Sequence, residues 1–181
     1  MASWARVARR IRVPLGFVFT ALYLWLAHPV VRSLLFGTVL VVLGLVLRAL
    51  ASGHVQKNEQ LTMTGPYAYT RNPLYLGSLI LAAGFAIAAR SLWVGLILVM
   101  LLLAIYLPVI RTEEQYLAQR FPEFAEYAGR VPRLLPRISA RSDAGGAFSW
   151  TLYWKHREYN ATLGSIAILA ALVAKLCGAF R

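Results

Sequence analysis

Hydrophobic residues occur along this chain in five long blocks separated by polar segments, rather than in short alternating runs. A bilayer core is about 30 Å thick and takes about 20 mostly apolar helical residues to cross. We therefore predict an all-α integral membrane helical bundle of about five transmembrane helices. The blocks cover about residues 13–30, 33–51, 74–89, 92–110 and 161–180. Very short links join the first block to the second and the third to the fourth, which predicts two antiparallel helical hairpins.

Composition and charge agree with a membrane protein and predict its orientation. Hydrophobic residues make up 59% of the chain and charged residues 14%, against about 45–50% and 25% in soluble domains. The net charge is +12. If the helices alternate in direction, segments 1–12, 52–73 and 111–160 share one side, and they hold most basic residues and every acidic one. The positive-inside rule makes that side cytoplasmic.

This topology predicts a single membrane domain over 1–181. It comprises an N-terminal hairpin (1–53), a core (54–138), and a linker, interfacial segment and C-terminal transmembrane helix (139–181). We expect the N-terminus and the site to be cytoplasmic, the C-terminus to lie on the opposite side, and the membrane to be the inner one if the source is bacterial. Membrane lipids are the expected partners of the basic segments, and no nucleic-acid motif is present. The fifth helix could make a homodimer contact.

The segment GPYAYTRNPLYLG, residues 65–77, carries the first candidate chemistry. Because the residue before a proline avoids the α region, Asn72-Pro73 predicts a helix start, with Asn72 as N-cap. Free N–H groups at such a start favour anionic ligand groups. Tyr67, Tyr69 and Tyr75 surround this junction, although an interfacial aromatic belt would explain them without any ligand.

Glu113 and Glu114 are the second candidate for chemistry, because they lie where the fourth block leaves the hydrocarbon core of the membrane. Burying such a pair is costly unless a cation meets it. Arg111 and a cationic ligand are both candidate partners, and a solvated helix face is the alternative. We interpret two other charges within the blocks, Arg48 and Lys175, as side chains that snorkel to an interface.

No metal site is expected from the sequence. The single cysteine, Cys177, excludes a disulfide framework and a cysteine-built zinc site. The three histidines have no metal-ligand spacing.

These motifs occur in a characteristic order around a helical hairpin, over roughly residues 54–136. In this order the chain resembles the isoprenylcysteine carboxyl methyltransferase and phospholipid methyltransferase superfamily of integral membrane methyltransferases. The matching elements are Gly65-Pro66-Tyr67, Arg71-Asn72-Pro73, Tyr75, Gly77, Glu113-Glu114, Leu117, Phe121, Tyr127 and Val131-Pro132-Arg133-Leu134-Leu135-Pro136.

The resemblance implies S-adenosylmethionine as methyl donor and a lipid-like or isoprenoid-type acceptor, an amphiphilic small molecule reached from the bilayer. The cofactor contacts that it implies are Gln56, Glu59, Gln60, Leu61, Thr62, Tyr67, Asn72, Pro73, Leu74, Tyr75 and Glu113. The residues that it offers for chemistry or acceptor positioning are Arg71, Arg111 and Glu114.

Two departures from the family pattern narrow these roles. Many members have histidine where this chain has Asn72, and asparagine cannot act as a titrating base. The prenylcysteine enzymes carry an acceptor-binding arginine four residues before the glutamate pair, where this chain has Val109. A carboxylate acceptor would need an arginine beside it, and an amine acceptor a base such as Glu114. Both remain open, as does a membrane scaffold without chemistry.

Overall fold

The computed structural model describes residues 18–56, 60–101, 104, 106–138 and 147–179, and within these ranges it contains helices and no strands. The prediction of an all-α fold is confirmed for this part of the chain. Helix α1 covers residues 18–26, and a short 3-10 turn covers Gly65–Ala68. The remaining helices are α2 Val31–His54, α3 Pro73–Ala89, α4 Leu92–Leu101, α5 Leu107–Arg120, α6 Phe124–Arg130, α7 Trp150–Lys155 and α8 Tyr159–Leu176.

Two described helices, α2 and α8, have the length and apolar composition needed to cross a bilayer. Helix α3 is also apolar but has 17 residues. The fourth block contains two described helices, since α4 ends at Leu101 and α5 begins at Leu107. The first block is described only from residue 18. Length and composition therefore support a membrane-spanning helix for two of the five blocks. For the other three blocks a membrane-spanning helix remains a prediction.

Helices α2 and α3 pack with their backbones in close approach at two pairs of glycines. A Cβ atom built on Gly44 would lie 2.7 Å from the carbonyl oxygen of Gly77, and one on Gly37 would lie 2.6 Å from that of Gly84. The later glycine of α2 meets the earlier glycine of α3, so the two helices are antiparallel. Small residues of this kind allow close packing of membrane helices. This pair positions the carboxyl end of α2 beside the amino end of α3.

At the opposite end of α2, Lys175 joins the ends of α8 and α1. Its Nζ donates to the carbonyl oxygens of Leu24, at 2.6 Å, and Trp25, at 3.3 Å. Carbonyls in the last turn of a helix lack intrahelical partners and form its negative end. The expectation that Lys175 snorkels is therefore corrected, because its ammonium caps α1.

Two of the three polar segments predicted to share one membrane side, 52–73 and 111–160, have their described residues at one end of the bundle, and segment 1–12 lies outside the described residues. The amide of Arg71 donates to the carbonyl oxygen of Pro132 at 3.0 Å, and that of Ser149 to Gly53 at 2.9 Å. A small apolar cluster of Phe124, Tyr127 and Val131 packs against Leu61 and Met63. The side of the membrane that this end faces remains a prediction.

The glycine contact predicts opposite effects for one substitution at two positions. Gly44→Ala places a methyl group against backbone, and overpacking of this kind costs about 1–3 kcal/mol in free energy of unfolding. Gly164→Ala is the matched control, since a Cβ there meets nothing within 4 Å and alanine favours a helix by about 0.5–1 kcal/mol. Detergent-titrated unfolding followed by circular dichroism measures both. Equal stability of the two variants would contradict the close α2–α3 contact.

Candidate functional site

A cavity of about 750 Å³ opens where the ends of α2, α3 and α5 meet the turn between α7 and α8. Its size lies within the range of about 300–1,000 Å³ usual for small-molecule sites. Most residues predicted for the site line it. They are Gln56, Gln60, Leu61, Thr62, Tyr67, Arg71, Asn72, Leu74, Tyr75, Glu113 and Glu114.

Three predicted residues do not contribute to the described wall. Pro73 is fully buried in the first turn of α3, where the sequence predicts it to begin the helix. Arg111 is exposed on α5, outside the lining. Its helix turns about 100° per residue, which directs it away from Glu113 two positions later. Glu59 lies outside the described residues. The roles predicted for all three remain predictions.

Glu114 is 7% exposed and is held from two directions. Two nitrogens of Arg133 contact Oε2 of this carboxylate, Nε at 2.9 Å and Nη2 at 2.8 Å. Asn72 Nδ2 donates to the other oxygen at 3.2 Å. Arg71 Nε lies 3.5 Å from that second oxygen. The cation expected beside the glutamate pair is therefore not Arg111, because Arg133 and Arg71 occupy that place.

Asn72 is the residue before α3, as predicted, but its side chain does not cap the helix. Its Nδ2 instead donates to Glu114 and, at 2.9 Å, to the carbonyl oxygen of Arg133. The N-cap prediction for this side chain is wrong, because the two hydrogen bonds of Nδ2 hold the side chain in an orientation in which Oδ1 does not accept from the helix N–H groups. The first backbone N–H groups of α3, at Leu74 and Tyr75, consequently have no side-chain cap from Asn72.

Arg71 has an unused hydrogen-bond donor. Its Nε is buried without a hydrogen-bond acceptor, the one such side-chain nitrogen or oxygen found among the described residues. The guanidinium carbon lies 6.0 Å from the centre of the Phe124 ring, a cation–π arrangement. An unsatisfied buried donor is costly. The carboxylate oxygen nearest to Arg71 Nε is Glu114 Oε1 at 3.5 Å, longer than the usual N–H···O distance.

Glu113 faces the same cavity from the next position of α5. The Tyr75 hydroxyl donates to Glu113 Oε2 at 2.8 Å, which joins α3 to α5 at the cavity wall. Tyr106 packs edge-on against Tyr75, with ring centres 5.7 Å apart. Across the cavity, Thr62 Oγ1 accepts a hydrogen bond from the backbone N–H of Gln56 at 3.2 Å. Residues of the segment 71–75 therefore contact both glutamates of α5.

The two buried tyrosines of the site remain neutral. Burial raises the pKa of Tyr67 well above its usual range, and Glu113 raises it further. Burial likewise raises the pKa of Tyr127, whose hydroxyl donates to the carbonyl oxygen of Tyr67 at 2.8 Å. These phenols therefore act as packing groups and donors, not as bases.

The sequence interpretation missed a second polar cluster on the far wall. Arg48 Nε donates to Glu158 Oε1 at 2.5 Å, and its Nη1 donates to Ser78 Oγ. His156 lies beside them in the lining. Snorkelling is thus corrected for Arg48, which is bound to a carboxylate. A charge deep within an apolar block was the available signal, since such residues are usually paired or functional.

The comparisons with known proteins identify the family. A model of the phospholipid methyltransferase family matches residues 12–123. The chain belongs to this family. The family is part of the isoprenylcysteine carboxyl methyltransferase-like superfamily of membrane methyltransferases. The recognition made from the motifs is therefore confirmed, and family membership together with α2 and α8 indicates membrane association. The match ends before α6, so Glu158 and His156 lie outside it.

Two curated relatives are named for metal resistance. The cobalt-zinc-cadmium resistance protein CzcN of Cupriavidus metallidurans is 39% identical over 105 residues, which are 58% of this chain and 47% of that protein. The nickel-cobalt-cadmium resistance protein NccN of Alcaligenes xylosoxydans xylosoxydans is 37% identical over 84 residues, 46% and 39% of the two chains. The aligned region thus spans half or less of each relative. No solved structure matches the chain. Among the described residues, no group of three His, Cys, Asp or Glu could hold a metal ion.

The buried position of Glu114 predicts a large loss of stability on neutralisation. Glu114→Gln leaves two guanidinium groups without their carboxylate, and breaking a buried pair costs about 3 kcal/mol. Glu126→Gln is the matched control, because its ion pair with Arg130 is on the surface, with Glu126 73% exposed, and should cost under about 1 kcal/mol. Unfolding in detergent compares them. A similarly small loss of unfolding free energy in both variants would show that the ion pairs of Glu114 do not stabilise the fold.

Proposed function

We propose that this protein is an S-adenosylmethionine-dependent methyltransferase acting on a membrane-embedded, lipid-like acceptor. The observation that carries the proposal is the contact between Tyr75 and Glu113 beside the amino end of α3. One cavity therefore contains a carboxylate, Glu113, that can pair with a positively charged group, and N–H groups at the start of α3 that can donate to a negatively charged one. Membership of a membrane methyltransferase family supports the same chemistry.

The charged groups of S-adenosylmethionine, the methyl donor, have complementary partners at this junction. Its ammonium group would pair with the Glu113 carboxylate. The carboxylate of S-adenosylmethionine would accept from the free N–H groups of Leu74 and Tyr75 and from the guanidinium of Arg71, which lines the cavity. The aromatic faces of Phe121 and Tyr106 line the cavity. Such faces can pack on adenine or face the sulfonium cation.

The acceptor would enter from the lipid side of α5. Val109 lines the cavity and is 44% exposed, so the wall there is apolar and open to an acyl or isoprenoid chain. The position lacks the arginine of the prenylcysteine enzymes, which argues against prenylcysteine itself. Methyl transfer is an in-line displacement, and its main requirement is to hold donor and acceptor in the correct geometry.

Two acceptor chemistries remain within this proposal. The first is carboxyl or other O- or S-methylation of a lipid-like molecule. The second is N-methylation of a phospholipid amine, which the family's name favours. Glu114 is poorly placed as the base for an amine, since Arg133, Arg71 and Asn72 already surround its oxygens.

The relatives' names bear on the biological process. If this protein also serves metal resistance, the route that we propose is methylation of a membrane component. The cytoplasmic supply of S-adenosylmethionine further supports placing the cavity end of the bundle in the cytoplasm. A homodimer through α8 remains a prediction.

Cofactor binding tests the proposal directly. We expect calorimetry on detergent-purified protein to give micromolar binding of S-adenosylmethionine. Tyr75→Phe removes one hydroxyl donor to Glu113 and should weaken binding about tenfold. Glu113→Gln should weaken it further. Tyr69→Phe is the matched control, since Tyr69 lies outside the cavity lining. No binding by the folded wild type would favour the membrane scaffold instead.

A further inference from the structure

The turn between α7 and α8 brings two polar side chains to the cavity from beyond the family match. His156 and Glu158 both line it, although residues two apart on a helix face nearly opposite directions. The chain achieves this at Arg157, whose φ of +54° lies in the left-handed region. Residues other than glycine adopt this region at an energetic cost, and such strain often accompanies functional sites.

The ring of His156 is oriented by a backbone carbonyl. Its Nδ1 lies 3.0 Å from the carbonyl oxygen of Ser52. That carbonyl belongs to the last turn of α2, where helical partners are missing, and Ser52 is 1% exposed. Because a carbonyl oxygen only accepts, this contact favours the tautomer that carries its proton on Nδ1. In that tautomer the lone pair is on Nε2.

The carboxylates that line the same cavity are all engaged with other groups. Glu114 is paired with Arg133 and Arg71. Glu158 is paired with Arg48, and Glu113 accepts from Tyr75. These contacts occupy carboxylate oxygens that would otherwise be open to an acceptor's proton. His156 is the one histidine in the described lining, and its contact with Ser52 leaves one nitrogen able to take a proton.

We propose that His156 is a catalytic base, whose Nε2 accepts the proton from the reacting nitrogen, sulfur or oxygen of an amphiphilic acceptor. This inference rests on the proposed methyltransferase function. The heteroatom attacks the methyl carbon of S-adenosylmethionine, and a new bond forms between heteroatom and carbon. The sulfur–methyl bond breaks with its electron pair remaining on sulfur. The heteroatom's proton passes to Nε2. The products are the methylated acceptor, S-adenosylhomocysteine and a protonated His156.

His156→Asn is the informative variant. The asparagine Nδ2 can replace Nδ1 as donor to the carbonyl of Ser52, but nothing replaces the lone pair of Nε2. Full-length protein in nanodiscs of phosphatidylcholine and phosphatidylglycerol would receive radiolabelled S-adenosylmethionine. The added acceptor probes are dodecylamine, dodecanethiol, 4-dodecylphenol and dodecanoate. The first three present an amine, thiol or phenol, and dodecanoate presents an oxygen without a proton. His28→Gln is the control, because His28 is exposed beyond the opposite end of α2.

We expect wild type to methylate at least one of the first three probes. His156→Asn should lower kcat about 100-fold or more, the usual contribution of a general base. The KM for the probe and the affinity for S-adenosylmethionine should remain within about threefold, since the variant keeps the cavity wall. His28→Gln should match wild type.

Several outcomes would overturn the proposal. They are an unchanged kcat in His156→Asn, turnover of dodecanoate alone, and cofactor binding by wild type without turnover of any of the first three probes. Failure of wild type to bind S-adenosylmethionine would instead overturn the proposed function. The two failures are therefore distinguishable.

A second measurement does not depend on turnover or on the folding of one variant. Nitrogen NMR of the full chain labelled at histidine should show His156 as the Nδ1–H tautomer. The signal is assigned by its loss in His156→Asn or, if that variant does not fold, in His156→Gln. An Nε2–H tautomer would exclude Nε2 as the proton acceptor.

Discussion

The buried carboxylate of Glu114 is the interaction on which the geometry of this site depends. It joins three parts of the chain that are distant in sequence: the segment before α3, helix α5 and the segment after α6. A charge buried to this degree is tolerated only when cations and hydrogen-bond donors surround it, and Arg133, Arg71 and Asn72 supply them. Because these partners are fixed on separate elements, the carboxylate also fixes the position of α5 relative to α3. Glu113, one residue earlier, is consequently held where it meets Tyr75 at the cavity.

A second constraint is the close packing of α2 on α3. The glycine pairs bring the backbones together, and they place the last turns of α2 beside the amino end of α3. Arg48 thereby becomes a wall residue of the cavity rather than a lipid-facing charge. The same turns offer the carbonyls of Ser52 and Gly53 to the C-terminal segment, and His156 and Ser149 occupy them. The C-terminal segment is thus part of the site, although the family match ends at residue 123.

The cavity therefore has two chemically different walls. Near α3 and α5 it offers a carboxylate, an unused guanidinium donor and aromatic faces, a set that complements a charged, aromatic methyl donor. Near the turn between α7 and α8 it offers an ion pair, Arg48 with Glu158, and the imidazole of His156. Methyl transfer to a protonated nucleophile needs both kinds of surface, one to bind the donor and one to remove a proton. The proposals for cofactor and base follow from this division.

The sequence by itself determined the helical class, the start of α3 at Pro73 and the stretches that meet in the cavity. Block hydrophobicity and a proline at a helix start are local signals, and the order of short motifs identified the family. The tertiary structure decided which charges meet. Sequence spacing suggested Arg111 as partner of the glutamates, Asn72 as a cap, and Arg48 and Lys175 as snorkelling side chains. Ion pairs and cavity walls form between residues far apart in sequence, such as Arg48 and Glu158, and no local pattern records their distance. Only the packing of α2, α3, α5 and α8 brings these side chains together.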